Sequence, residues 1–419
     1  VSVTPVADAA SVAAAARTSI GAGLAPLWVI VVFSNLPIYI ALFVAPGIEP
    51  LYWFVVLFIL TAVTLIRAGQ SARDRDGLFL AALACYACLC LTWYMVQGGG
   101  DPVVLRGRLL GLAICGVSYL VFAASAAALQ AARRALAFMV VMCVAVNIWD
   151  ISHPFALVPS TSELVTVGRA AGLFLNPNQA GAALVAGFTL SVALVPRGWR
   201  FVFIALVIVG VGLTFSRAAL LGLALAIFAL MSGGGRTVSP RQVVAASILV
   251  VAFAWLAWEL VSGELQQRLH IDPEVAMDRL LWILDPSGRA DFSQEERIDL
   301  LERGWQQFLA APVLGNGVGS TELWGARSST HNEYVMLASD FGLIGLLVFP
   351  GIVLCAMGAR LGRLTDATVT GLFLLFWGFF SHNVLSEYYL LITIAMVAAL
   401  SRCEREVASE PTMSDALAA

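Results

Sequence analysis

Ser328-Ser-Thr-His-Asn-Glu-Tyr-Val-Met-Leu-Ala-Ser-Asp-Phe-Gly-Leu-Ile-Gly-Leu-Leu-Val-Phe349 passes from a polar loop into an apolar run of membrane length, with a histidine at the boundary. Thr330 and Glu333 have the T-x-x-E spacing of a capping box, which predicts a helix with Thr330 as N-cap and His331 in its first turn. The imidazole then lies at the membrane–water boundary. The positive end of the helix dipole disfavours imidazolium there, so the expectation is a neutral His331 able to accept a proton. A histidine that only hydrogen-bonds at a helix end is the alternative reading of the same position.

The composition around this stretch excludes a soluble protein. The 419 residues are 60% hydrophobic and 12% charged, with a mean hydropathy of +0.88, whereas soluble domains carry about 25% charged residues. All 24 basic residues are arginine, so a basic position is not by itself evidence of chosen guanidinium geometry. The net charge of −3 is uninformative about partners, and no nucleic-acid partner is expected. Cys85, Cys88, Cys90, Cys115, Cys143, Cys355 and Cys403 fall in apolar runs or near the C-terminus, which argues against a disulfide framework and for core roles. The Ala- and Ser-rich start reads as a short cytoplasmic tail rather than a signal peptide.

Twelve membrane spans are expected, near residues 27–47, 50–66, 76–96, 107–128, 133–150, 178–195, 200–214, 216–232, 241–262, 332–358, 365–384 and 386–401. The fold class is thus all-α, a polytopic integral membrane protein with residues 1–419 as one membrane domain. With the N-terminus inside, every inner loop carries at least two arginines, among them Arg73, Arg133, Arg197, Arg236, Arg360 and Arg402. That distribution satisfies the positive-inside rule and sets both termini in the cytoplasm and His331 on the outer side. The outer loop at 263–331 is too long for a passive connection and forms a subdomain. Asp272-Pro273 and Ser293-x-x-Glu296 start two amphipathic helices there. The second presents Ile298, Leu301, Trp305, Phe308 and Leu309 on one face until Pro312, and both suit the membrane surface.

Arginines on the outer side are candidates for chemistry. Arg217 lies in Leu213-Thr-Phe-Ser-Arg-Ala-Ala-Leu220, between two short apolar runs. An arginine at membrane depth costs about 2.5–3.5 kcal/mol, so it faces a polar cavity or a partner, unless it snorkels to the interface. Arg297, with acidic neighbours Glu295, Glu296 and Asp299 as alternative partners, and Arg169 and Arg289 complete the set. Several guanidinium groups on one side suit a phosphate-bearing ligand, because the planar fork binds phosphate bidentately and keeps its charge. Gly315-Asn-Gly-Val-Gly319 lacks the Lys-Ser/Thr of a P-loop and reads as a turn. The histidines have no zinc-site spacing, so no metal and no soluble cofactor is implied. His382-Asn383, at an outer helix end, lines the same cavity or serves structure.

These residues resemble the bacterial O-antigen ligase family, part of a wider group with O-antigen polymerases and protein O-oligosaccharyltransferases. The resemblance covers about residues 165–360. It rests on Gly172-Leu-Phe-Leu-Asn-Pro-Asn-Gln179, Thr214-Phe-Ser-Arg-Ala218, Arg297 followed by Trp305 and Pro312-Val-Leu-Gly-Asn-Gly-Val-Gly319, and His331-Asn332 followed by Gly342 and Gly345. It implies a fold similar to lipid-dependent membrane glycosyltransferases and a metal-independent, inverting transfer at the periplasmic face of the inner membrane. The donor would be a glycan on undecaprenyl pyrophosphate and the acceptor lipid A-core, in contact with membrane lipid. On this chain it makes Arg217 and Arg297 the holders of the pyrophosphate and His331 the base. Arg169, Arg289, Asn176, Asn178, Asn332 and His382 would then contact substrate. A glycolipid transporter or flippase is the reading from another class, though no repeated halves are evident.

Overall fold

A computed structural model of the chain describes residues 23–72, 77–97, 101–162, 164, 168–233, 237–261, 292–324, 329–358 and 363–409. Within them the regular structure is helical. The helices are α1 (Gly23–Phe33) and α2 (Leu36–Val44), then α3 (Pro50–Ala72), α4 (Gly77–Gln97), α5 (Pro102–Phe122), α6 (Ala126–Ser152), α7 (Pro177–Ser191), α8 (Arg200–Leu213), α9 (Arg217–Ser232), α10 (Pro240–Val261), α11 (Phe292–Ala310), α12 (Glu333–Phe341), α13 (Leu343–Ala356), α14 (Asp366–Trp377) and α15 (Tyr388–Ser409).

Caps explain many of the starts. A helix end in an apolar setting has no water for its first N–H groups, so a side chain must take one. Asp101 accepts from Val103 before α5, Ser125 from Ala128 before α6, Asn176 from Asn178 before α7, and Thr365 from Thr368 before α14. Pro102 and Pro177 follow their caps at the position where a missing N–H costs nothing.

Two helices form the interior. α7 is buried along Ala180–Ser191 and α15 along Tyr389–Ser401, each apolar on all sides as a central helix must be. α15 packs chiefly on α5, and α7 on α6, α9 and α14. Small residues let the backbones close up: a Cβ on Gly181 would meet that of Ala219 at 2.6 Å, and one on Gly210 would meet Val144 Cγ2 at 2.6 Å. Outward, Val55, Ile59, Leu225, Phe228, Val251 and Trp255 remain exposed. That apolar belt suits lipid rather than water.

The span count differs from expectation. Each expected segment coincides with a helix or a broken pair, but among the described residues α4, α5 and α6 alone are long and apolar enough to cross a membrane. The bent pair α1–α2 makes a fourth, turned by 48° at a break where Asn35 takes φ 60°. α8, α9, α13 and α14 are shorter apolar helices. The expected continuous span 332–358 is broken at Gly342, whose φ of 68° and ψ of −148° end α12. Leu343 N–H, released by the break, donates to Pro312 O at 2.8 Å. The span expected from 107 begins earlier, at Pro102, and takes Arg106 and Arg108 into α5. The amphipathic helix expected after Ser293 is α11; the one after Asp272 lies outside the described residues. Ile298, Leu301, Trp305 and Leu309 of α11 stay exposed, while Phe308 is buried.

Candidate active site

The expected capping box at His331 does not form. Asn332 is the N-cap of α12, its Oδ1 accepting from Val335 N–H at 3.1 Å. Thr330 instead bonds the turn before it, its hydroxyl donating to Asn332 O at 2.9 Å and accepting from Asn332 N–H at 3.4 Å. His331 therefore sits outside the helix, in the left-handed region at φ 49°. That conformation is uncommon for a side-chain-bearing residue and costs of order 1–3 kcal/mol.

Glu333, expected as the distal member of that box, does something else. Its carboxylate is fully buried and accepts Val384 N–H at 2.9 Å and Leu385 N–H at 3.3 Å. Its own N–H donates to Gly378 O at 2.8 Å. One residue thus ties the start of α12 to the 378–387 loop between α14 and α15. The tie sets the His382 ring edge-on to His331, with ring centroids 5.2 Å apart and planes at 80°.

Both imidazoles are held neutral. Burial, and then the charge of Arg297, lowers His331 from its usual range to about 4. Burial, and then His331, lowers His382 to about 3. The neutral state expected of His331 stands, but its cause is desolvation rather than a helix dipole. Arg297 enters from α11, which docks on this turn through Gly304: a Cβ there would run into Thr330 and Val335.

A second cluster stands at the starts of α7 and α9. Arg169 donates from Nε to Thr214 O at 3.0 Å and from Nη2 to Asn178 Oδ1 at 3.1 Å. Phe215 turns the chain at φ 48°. Ser216 caps α9, and Arg217 is its first helical residue, half-buried. Asn176 gives its side-chain oxygen to the α7 cap at 2.8 Å, as Asn332 gives its own to α12. Gln179 joins the clusters, donating to Glu387 Oε1 at 2.5 Å, and Asn383 donates to the same oxygen at 3.4 Å. Burial pushes Glu387 up to about 7. So His331, His382, Arg297 and Asn332 come together in one cluster, and Arg169, Asn178 and Arg217 in its neighbour. Arg289 lies outside the described residues. Among the described residues no group of three or more His, Cys, Asp or Glu is placed to hold a metal.

The sequence reading passed over Arg108 and Asp340. Arg108 Nη2 reaches Asp340 Oδ2 at 2.5 Å, both buried. Asp340 also accepts Gly319 N–H, Ser320 N–H and the Ser320 hydroxyl, at 3.1, 2.9 and 2.7 Å. The glycine-rich segment is the expected turn, with Gly315, Gly317 and Gly319 all at positive φ. Charges inside two apolar runs were the available signal, since ionised groups at that depth need each other.

A search of curated proteins finds no match. Among solved structures, a chain of one titled "Structural coordination of polymerization and crosslinking by a peptidoglycan synthase complex" is 15% identical. The alignment covers 78% of this chain and 98% of that chain, with a TM-score of 0.43. Residues 201–350, which contain Arg217, Arg297 and His331, match the family model described as O-Antigen ligase. The resemblance carried by the motifs is borne out over residues 201–350, which match the O-antigen ligase family.

Proposed function

We propose that the protein is an O-antigen ligase. It transfers a glycan from undecaprenyl pyrophosphate to lipid A-core at the periplasmic face of the inner membrane, through twelve crossings with both termini cytoplasmic. The observation that carries this reading is a neutral His331 beside Arg297 and edge-on to His382, within the family-matched stretch. The acceptor hydroxyl attacks the anomeric carbon as its proton passes to His331, and the bond from that carbon to the pyrophosphate oxygen breaks with inversion. Negative charge develops on the leaving pyrophosphate, and Arg217 and Arg297 stabilise it better than mobile water does. A base already charged would take no proton, and the buried imidazole is neutral and free to accept one.

Lipopolysaccharide from a deletion strain tests the reading. Free core with accumulated lipid-linked polymer is expected, whereas core bearing a single repeat unit replaces the ligase with a polymerase. Purified protein is expected to transfer glycan in excess EDTA, with arginine as the phosphate partner. Activity lost in EDTA and restored by magnesium or manganese removes that role.

A further inference from the structure

Behind the histidine pair lies a cavity of about 330 Å³ that none of the assigned roles uses. Its walls come from the site end of the molecule: Tyr86 on α4, Gly107 and Arg108 on α5, Glu322 before α12, Glu333 on α12, and the Asn383–Tyr388 segment. Glu333 is two residues from His331 and Asn383 is next to His382, so the cavity adjoins the pair through both chain segments that form it.

Its polar atoms are incompletely satisfied. Arg108 is 4% exposed. Its Nη2 serves Asp340, while its Nη1 has no hydrogen-bond partner among the described residues. A buried guanidinium N–H left unmet costs more than most neutral donors, so an acceptor entering the cavity is favoured. Glu322 and Glu387 also line this space, and Val103, Val104 and Leu385 give it an apolar side.

The charges choose the ligand. The one arginine is already paired with Asp340 at 2.5 Å, so the cavity offers a phosphate no uncompensated positive charge. No group of three ligands for a metal is present among the described residues. A hydroxyl both donates and accepts, which fits carboxylates and an unmet N–H together. The apolar side then takes the C–H face of a ring.

We infer that this cavity is a subsite for a neutral sugar ring of the acceptor, holding it so that a neighbouring hydroxyl reaches His331. The inference rests on the transferase reading for the word acceptor, but not for the binding of sugar.

Gly107 gives a direct test, because it lines the cavity and a Cβ there meets nothing within 4 Å. Gly107→Leu therefore fills the cavity in a helix that gains propensity from the change, and Gly107→Ala leaves it open. Val103→Trp, at a side chain 75% exposed, obstructs the same space from its rim. The probes are lipid-free core oligosaccharide and inorganic pyrophosphate, each at millimolar concentration, with saturation-transfer NMR on monodisperse protein. Oligosaccharide signal is expected from the native protein and Gly107→Ala, lost in Gly107→Leu and Val103→Trp, with pyrophosphate unable to compete. In turnover, Gly107→Leu is expected to raise the acceptor KM at least about tenfold, with the donor KM unchanged. Oligosaccharide binding that survives in Gly107→Leu, is absent from the native protein, or is displaced by pyrophosphate overturns the subsite. Sugar binding lost in Gly107→Leu without any transferase activity in the native protein keeps the subsite and sinks the transferase reading instead.

Discussion

His331 owes its properties to three neighbours: Thr330 and Asn332 fix its backbone, and His382 packs on its ring. As base, its replacement by alanine removes one proton transfer, about 100- to 10,000-fold in turnover, while donor binding persists. Turnover per donor-binding molecule measures this, and a near-native value takes His331 out of the mechanism. Arg217→Lys and Arg297→Lys keep charge but lose the bidentate fork, so both are expected to fail substantially in the same assay. The depressed imidazoles also predict a pH response. The acid limb of kcat/KM is expected near pH 4 rather than 6.5, read from a pH–rate profile. Stability follows the same sign. An unfolded chain with ordinary imidazoles binds protons first, so the contribution of this pair is complete above about pH 6.5 and lost as pH falls toward 4 and 3. Melting curves across that range should show the slope, and His331→Gln with His382→Gln should flatten it.

At the scale of elements, the site is a junction of broken or capped helices rather than a groove on one. α11 reaches the His331 turn because Gly304 has no side chain to hold it off. Gly304→Leu is expected to lift α11, move Arg297 away from His331 and lower turnover at least about tenfold, with the protein still folded. The check is kcat beside a melting curve: full activity in Gly304→Leu separates Arg297 from the base. Element positions were largely legible in the sequence, because apolar length and polar caps act locally: Asn176 and Thr365 each start a helix at an expected boundary, while Asp101 and Ser125 start theirs earlier than expected. The break at Gly342 was not. It depends on Pro312 supplying a carbonyl from a turn distant in the chain, and no local pattern encodes that.

For the whole molecule, the arginines divide by end. Away from the site they tie helix ends together: Arg133 pairs with Asp366 at 2.6 Å, and Arg200 donates to the carbonyls of Val195, Thr237 and Ala193. This is the end the arginine distribution assigns to the cytoplasm. Tags at residue 235 or 362 are expected to be cytoplasmic and tags near 290 periplasmic. Thiol labelling of a tag near 290 from the cytoplasmic side alone would reverse the topology. The candidate site was legible as a set of residue types on one side. Its grouping was not, since the bond from Gln179 to Glu387 and the clamp from Glu333 to Val384 join segments distant in the chain. Arg108 escaped notice for a similar reason: its meaning lies in Asp340, on another helix.

The Glu333 clamp also puts the site on a clock. His331 emerges from synthesis well before Gly378, Val384 and Leu385, the three backbone groups that hold the start of α12 in place. A nascent chain halted ahead of residue 384 has His331, Arg217 and Arg297, yet leaves the buried Glu333 carboxyl without its donors, a state that costs too much to persist. His382, in the same late segment, then has no fixed seat against His331. The histidine pair is therefore assembled last, when the final hairpin enters the bundle, and an unfinished molecule lacks it.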